Sequence, residues 1–176
     1  MMTNIRKAEL KDIDAVERIY NDIHTAEERG AQTIGWIRGV YPVRKTAEDA
    51  LDRGNLFVQE DQGQIVGAGI INQTQVDVYA LGEWKHDAKD AEVSVLHTLV
   101  ISPKASGKGY GKAFIAFYEN YAREHGCMEL RIDTNARNVA ARAMYKKLGY
   151  KEIGIVPTVF NGIPDVQLVL LEKYFG

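Results

Sequence analysis

The 176-residue sequence has one cysteine, Cys127, no long apolar run and no marked excess of charge of either sign. One cysteine cannot form an internal disulfide, and Cys and His residues do not cluster as in a structural zinc site. We therefore interpret Cys127 as buried packing and expect no metal. No stretch approaches the roughly 20 apolar residues that span a bilayer, and the start lacks the apolar run of a signal peptide. A cytoplasmic protein that contacts no membrane is expected.

The charges nearly balance, with 22 Lys and Arg against 24 Asp and Glu, for a formal net charge of -2. Such a chain has no overall positive field to attract nucleic acid, so an anionic ligand must be bound by a local group of donors or cations. The length and the 45% hydrophobic content fit one globular domain over residues 1–176.

Hydrophobic periodicity predicts an α/β (α+β) fold with a mixed sheet flanked by helices, in the order strand, helix, helix, three strands, helix, strand, helix and two strands. The segment 73–90 has no clear period. Helices are predicted to begin near residues 13, 46, 109 and 138. The predicted strands cover residues 3–8, 55–60, 64–71, 92–101, 128–133, 150–156 and 166–171.

A glycine-rich segment, residues 104–112 (Lys-Ala-Ser-Gly-Lys-Gly-Tyr-Gly-Lys), lies between the strand ending at Ile101 and the next helix. Alternating glycines let the backbone approach a ligand, and free amides at the helix start, with the positive end of the helix dipole behind them, bind phosphate. Lys104, Lys108 and Lys112 add positive charge. The other interpretation is a solvated surface turn.

Two further phosphate-binding patterns can be compared with this segment. A P-loop needs Ser or Thr after its lysine, but Ala113 follows Lys112, which disfavours a nucleotide triphosphatase. The dinucleotide fingerprint needs a third glycine where Lys112 stands, although Asp133 does lie about 20 residues downstream. A nicotinamide-dependent oxidoreductase therefore stays open at this point.

A second motif lies on the next predicted helix. Asn138, Ala141 and Tyr145 fit the pattern N-x-x-A-x-x-hydrophobic-Tyr, followed by Lys-Leu-Gly-aromatic at residues 147–150. Together with the upstream glycine segment, this motif resembles the GNAT superfamily of N-acetyltransferases over residues 92–150. One departure is Ser106, where the family's loop often opens with Gln or Arg.

The resemblance implies a largely antiparallel sheet with a central, splayed pair of parallel strands, and acetyl-CoA as the cofactor. The amides of the glycine segment would hold the pyrophosphate, the edge of the preceding strand would pair with the pantetheine amides, and Asn138 would help to fix the pantetheine arm. The cofactor-binding residues implied are Leu99, Val100, Ile101, Ser106, Gly107, Lys108, Gly109, Tyr110, Gly111, Lys112, Asn138, Ala141 and Tyr145.

Three residues are implied as catalytic. Tyr145 would stand near the thioester sulfur, where a phenol can donate a proton to the departing thiolate. An amine acceptor must lose a proton before attack, and His97 is the first candidate base, because it shares strand parity with Leu99 and Ile101 and a histidine sits similarly in arylalkylamine N-acetyltransferases. Glu92 is the second candidate. Each residue also has a purely structural interpretation. Tyr145 would pack against the sheet, His97 would be a core or edge histidine, and Glu92 would be a solvated strand end.

Five aromatic residues are candidate walls of the acceptor pocket: Trp36, Tyr41, Tyr79, Trp84 and His86. Aromatic walls favour a small-molecule amine as acceptor over a peptide. The alternative is a non-catalytic acyl-CoA-binding module. A homodimer is left open.

Overall fold

The computed structural model describes residues 3–176, and the order of strands and helices within them is the predicted one. The elements are β1 (Asn4–Lys7), α1 (Ile13–Glu28), α2 (Arg44–Asp52), β2 (Leu56–Asp61), β3 (Gln64–Asn72), β4 (Val93–Ile101), α3 (Tyr110–Glu124), β5 (Glu129–Asn135), α4 (Val139–Lys147), β6 (Lys151–Phe160) and β7 (Ile163–Tyr174). The aperiodic segment 73–92 contains two short 3-10 turns.

The strands form one sheet in the order β1-β2-β3-β4-β5-β7-β6. Neighbouring strands run antiparallel except β4 and β5, which pair in parallel because α3 carries the chain back across the sheet between them. The predicted mixed, largely antiparallel sheet with a central parallel pair is thus confirmed. Within residues 3–176, no helix is both long and apolar enough to cross a membrane.

Helices cover both faces of the sheet, and alternate side chains of a strand contribute to different layers. On β2, Phe57 packs in the cluster formed by α3 and α4, whereas Leu56 and Val58 pack in the cluster formed by α1 and α2. A third cluster joins β7 to Tyr79 and Val95. Cys127 is 2% exposed and belongs to the α3 cluster, as its predicted packing role requires.

A β-bulge interrupts β4 near its C-terminal end, at Thr98. Ala68 pairs with Val100 and Ile70 pairs with His97, so two residues of β4 face one residue of β3, and Thr98 adopts a positive φ of 49°. The extra residue reverses the alternation of side chains. His97 lies on the α1 face with its partner Ile70, whereas Leu99 packs against the α3 cluster. The predicted shared face of His97 and Leu99 is therefore wrong.

The last hairpin is longer than the periodicity predicts, because β6 and β7 extend to Phe160 and from Ile163. Asn161 and Gly162 connect them with positive φ values of 52° and 80°, the combination of a tight type I′ turn. Pro157 lies within β6 and is tolerated because β6 is an edge strand, whose outward amides need no partner. The hairpin tip consequently reaches the candidate site.

Candidate active site

The candidate site lies where β4 and β5 separate. In the part of the chain that the structure describes, pairing between these strands covers Val93–Leu96 against Glu129–Ile132 and then stops, so the edge of β4 from His97 to Ile101 faces β5 without a ladder. A cavity of about 510 Å³ opens at this gap. It is lined by the strand ends, the glycine segment, α4, the α1–α2 connection and the tip of the β6–β7 hairpin.

The glycine segment presents consecutive amides to one end of the cavity. Gly107 and Gly109 have φ values of 78° and 81°, and the first intrahelical bond of α3 runs from the Ala113 amide to the Gly109 carbonyl at 3.0 Å. Between residues 3 and 176, no protein acceptor receives a hydrogen bond from the amides of 107–112. Because unpaired amides and the helix dipole attract anions, the segment fits a diphosphate group.

Only two of the three lysines predicted to add positive charge lie near the free amides of the glycine segment. Lys104 is paired with Asp22 of α1 at 3.2 Å and lies outside the cavity lining. Lys108 and Lys112 are exposed, and Lys112 lines the cavity together with the exposed Ser106. The positive character of the segment therefore comes from its amides and two lysines instead of three.

Asn138 and Ala141, at the start of the second motif, line the cavity beside the glycine segment. Asn138 caps α4, since its side-chain oxygen accepts a hydrogen bond from the Ala141 amide at 3.2 Å. A Cβ at Gly111 would lie 3.1 Å from the Met144 sulfur, so the glycine lets α3 and α4 approach closely. The motif thus fixes the start of α4 and its packing on α3.

Tyr145 points its hydroxyl into the cavity from α4. The residue is 5% exposed, and its ring packs edge-on against Tyr150 with centroids 5.8 Å apart. No hydrogen bond to its hydroxyl is formed within residues 3–176. Burial, followed by the negative charge of Asp133, raises the pKa of Tyr145 well above its ordinary value. The phenol therefore keeps its proton at neutral pH, and its hydroxyl is not engaged by another group of the described residues.

His97 lines the cavity but is a weak base. Its Nε2 lies 2.8 Å from the Asn72 side-chain oxygen, which already accepts from the Thr74 amide at 3.0 Å, so His97 is the donor in this contact. Burial lowers the pKa of His97 to about 4. Glu92 is exposed ahead of β4, outside the cavity lining and about 16 Å along the strand from His97, at roughly 3.3 Å per residue. The structure does not bring Glu92 to the site.

Asp133 is the acid that sequence reasoning missed as a candidate base. It follows the paired part of β5, lines the gap, and accepts a hydrogen bond from the Tyr79 hydroxyl at 2.7 Å. Burial raises the pKa of Asp133 to about 6, while the bond from Tyr79 opposes that rise. Its charge also raises the pKa of Tyr41 and Tyr145. The sequence signal that could have identified Asp133 as a candidate base is a carboxylate at the end of a buried strand.

The aromatic walls are partly those predicted. Trp36 and Tyr41 line the cavity and pack edge to face with centroids 5.9 Å apart. Tyr79 lies behind the wall and acts through Asp133. The other two residues are not walls, because Trp84 covers the Arg131 guanidinium at 4.2 Å and His86 stacks on Tyr174. The remaining wall comes from the hairpin through Phe160, Ile163, Val166 and Leu168.

The segment that carries Trp36 and Tyr41 is held in place from α1. Both carboxylate oxygens of Glu27 accept backbone hydrogen bonds, from Ile34 at 2.7 Å and from Gly35 at 2.9 Å. A Cβ at Gly35 would lie 2.3 Å from the Asn135 side-chain nitrogen. Glycine at this position therefore lets the segment rest directly on the end of β5.

The chain is similar to known acetyltransferases in sequence and fold. Residues 13–150 match the model of the acetyltransferase (GNAT) family. An uncharacterized N-acetyltransferase of Methanocaldococcus jannaschii is 25% identical over 170 residues, covering 96% of this chain and 91% of the relative. An aminoglycoside N(6')-acetyltransferase type 1 of Stenotrophomonas maltophilia is 25% identical over 118 residues, covering 65% and 74%.

Two solved structures share the fold. A ribosomal-protein-alanine N-acetyltransferase from Brucella melitensis superposes with a TM-score of 0.71 at 22% identity, covering 98% of this chain and 99% of the other. A Salmonella typhimurium protein solved with its cofactor acetyl-CoA gives 0.70 at 18% identity, covering 100% and 95%. By the family match and its named relatives, the chain belongs to the acetyltransferase (GNAT) family and is an acyl-CoA-dependent N-acetyltransferase.

Proposed function

We propose that the chain transfers the acetyl group of acetyl-CoA to the amine of a small molecule, by direct attack while both substrates are bound. The observation that carries the proposal is that Tyr145 of α4 and Asp133 of β5 line the same cavity at the gap between β4 and β5. At neutral pH the Tyr145 hydroxyl keeps its proton, whereas the Asp133 carboxyl is mostly ionised. A proton donor and a proton acceptor in one cavity are what transfer from a thioester to an amine requires.

The chain's own groups are suited to hold acetyl-CoA. The amides of 107–112 would bind the pyrophosphate, and the unpaired edge of β4 at 99–101 would hydrogen-bond the pantetheine amides as a neighbouring strand does. Bound there, acetyl-CoA supplies the thioester carbonyl and the thiol leaving group. Asn138 and Ala141, at the start of α4, border the same part of the cavity.

Proton movement is assigned to two residues. An alkylamine is protonated at neutral pH, so the acceptor must lose a proton before it attacks. Asp133, ionised above about pH 6, takes that proton directly or through one water, and the Tyr79 hydroxyl keeps its carboxylate oriented. His97, with a pKa of about 4, is the weaker base. Tyr145 delivers its hydroxyl proton to the departing sulfur, and the extra proton that the nitrogen carries after attack restores the phenol.

Two earlier alternatives are less well supported. Membership of the acetyltransferase family removes the basis for a nicotinamide cofactor. A non-catalytic binding module would have no need for an unpaired, protonated hydroxyl at Tyr145.

A small acceptor is favoured over a peptide because segment 34–41 and the β6–β7 hairpin both border the cavity. We further propose that residues 1–176 act as one domain.

The test is release of free thiol from acetyl-CoA in the presence of amines, amino acids, antibiotics and peptides. We expect thiol release that depends on a small amine and an acetylated product of the matching mass. Acetyl-CoA binding with no release for any acceptor would support the module instead. Preference for a peptide acceptor would contradict the small-molecule assignment.

A further inference from the structure

The acceptor half of the cavity carries a distinctive charge pattern. We define it as the part bordered by segment 34–41, Asp133 and the β6–β7 hairpin, away from the glycine segment. Among residues 3–176, Asp133 is the one side chain of this lining that is charged at neutral pH, since His97 is neutral there. Resting on the proposed function, we propose that the acceptor half selects amines without a carboxylate or phosphate near the amine, and rejects amino acids.

Repulsion by Asp133 is the first reason. The acceptor amine must reach this carboxylate directly or through one water, which places the α-carboxylate of an amino acid only a few ångströms further away. Two negative charges about 6 Å apart, at an effective dielectric constant of about 20, disfavour the carboxylated molecule by roughly 100-fold. The protonated amine, by contrast, is attracted on arrival.

Within the described range 3–176, no neighbouring cation offsets this repulsion. Arg131 lies two residues before Asp133 on β5, but its guanidinium donates to Glu129 at 3.2 Å and to Gln75 at 2.6 Å and is covered by Trp84. Arg131 is also absent from the cavity lining. Lys112 does line the cavity, but it belongs to the glycine segment, whose amides bind the diphosphate in the proposed function.

The walls complement an uncharged, apolar body. Trp36 and Tyr41 present aromatic rings at right angles, and Phe160 borders the same space from the hairpin. Aromatic faces attract an ammonium group and repel an anion. Ile163, Val166 and Leu168 supply further apolar surface. An arylalkylamine or alkylamine buries its carbon skeleton here without leaving an unpaired anion in a poorly hydrated space.

Matched pairs of acceptors test the proposal. We expect kcat/KM to be at least 100-fold higher for phenethylamine than for phenylalanine, and likewise for tryptamine over tryptophan. Phenylalanine methyl ester, which keeps the added bulk but loses the charge, should regain most of the rate after correction for its free-amine fraction. Equal rates for the amine and the amino acid would overturn the proposal, and so would an ester as slow as the amino acid.

A variant pair tests the same point from the protein. Gln32 lines the cavity two residues before segment 34–41 and is half-buried, so Gln32→Arg places a guanidinium beside the acceptor half on a longer side chain. We expect its ratio of phenylalanine to phenethylamine turnover to rise at least tenfold. Gln64→Arg, with the same charge change at an exposed position on β3, should leave the ratio unchanged. An unchanged ratio in folded Gln32→Arg contradicts the proposal.

The failure of this inference differs from the failure of the proposed function. Transfer to amino acids as fast as to simple amines refutes the charge selection and leaves acetyl transfer to small amines standing. Absence of transfer to every small amine, with acetyl-CoA bound, refutes both.

Discussion

Replacing Tyr79 by Phe should move the acidic limb of the pH–rate profile upward. The Tyr79 hydroxyl donates to Asp133 at 2.7 Å, and this bond lowers a pKa that burial raises to about 6. A hydrogen bond to a charged group contributes about 1.5–3 kcal/mol, and one pKa unit corresponds to about 1.4 kcal/mol. Its loss should therefore raise the apparent pKa by about 1–2 units. Tyr79 is 2% exposed, so Phe keeps the buried ring.

The assay is kcat between pH 5 and 9 with both substrates saturating. Below pH 6 the wild-type rate should fall about tenfold per pH unit as Asp133 becomes protonated. In Tyr79→Phe the fall should begin near pH 7–8. His97→Ala should keep the wild-type limb, because the pKa of His97 is about 4. A limb that stays near pH 6 in folded Tyr79→Phe, or that disappears in His97→Ala, would refute Asp133 as the base.

Asp133→Asn separates loss of chemistry from loss of structure. Its kcat should fall by about 10²–10⁴ and lose the acidic limb. The pKa of Asp133 is raised from 3.8 to about 6 on folding, so ionisation opposes folding above pH 4, by up to about 3 kcal/mol at pH 7. The variant should therefore unfold at a higher temperature than wild type at pH 7 and at a similar temperature near pH 4. A less stable variant at pH 7 would contradict the burial argument.

Three further outcomes are expected. Gly109→Glu should weaken acetyl-CoA binding at least 100-fold in calorimetry, because it strains a φ of 81° and adds negative charge at the cradle; Gly63→Glu, at a φ of 75° in an exposed turn, should not. Tyr145→Phe should lower kcat about 10²–10³-fold with little change in acetyl-CoA affinity, and wild-type turnover would remove its acid role. Burial and then Glu172 raise the pKa of Glu129 to about 8, so stability should fall by about 1 kcal/mol per pH unit between pH 5 and 8. Thermal melts of Glu129→Gln should lack that slope.

Contiguous stretches of sequence were enough to predict the order of the elements, the glycine segment and the second motif. Gly107 and Gly109 adopt the left-handed backbone that favours glycine, and Asn138 caps the helix that its motif opens. These features depend on neighbours a few residues away, through φ preferences, capping and hydrophobic period. Local rules of this kind can be applied without knowing what packs against the segment.

Only the tertiary structure decided how the site is completed. Tyr79 and Asp133 are 54 residues apart, and their hydrogen bond depends on how segment 73–92 packs over β5. The bulge at Thr98 places His97 on the α1 face. The packing of segment 73–92 places Trp84 over Arg131 and outside the cavity lining. A long-range hydrogen bond or a β-bulge leaves no periodic pattern in the sequence. Both depend on how segments that are distant in the chain pack together.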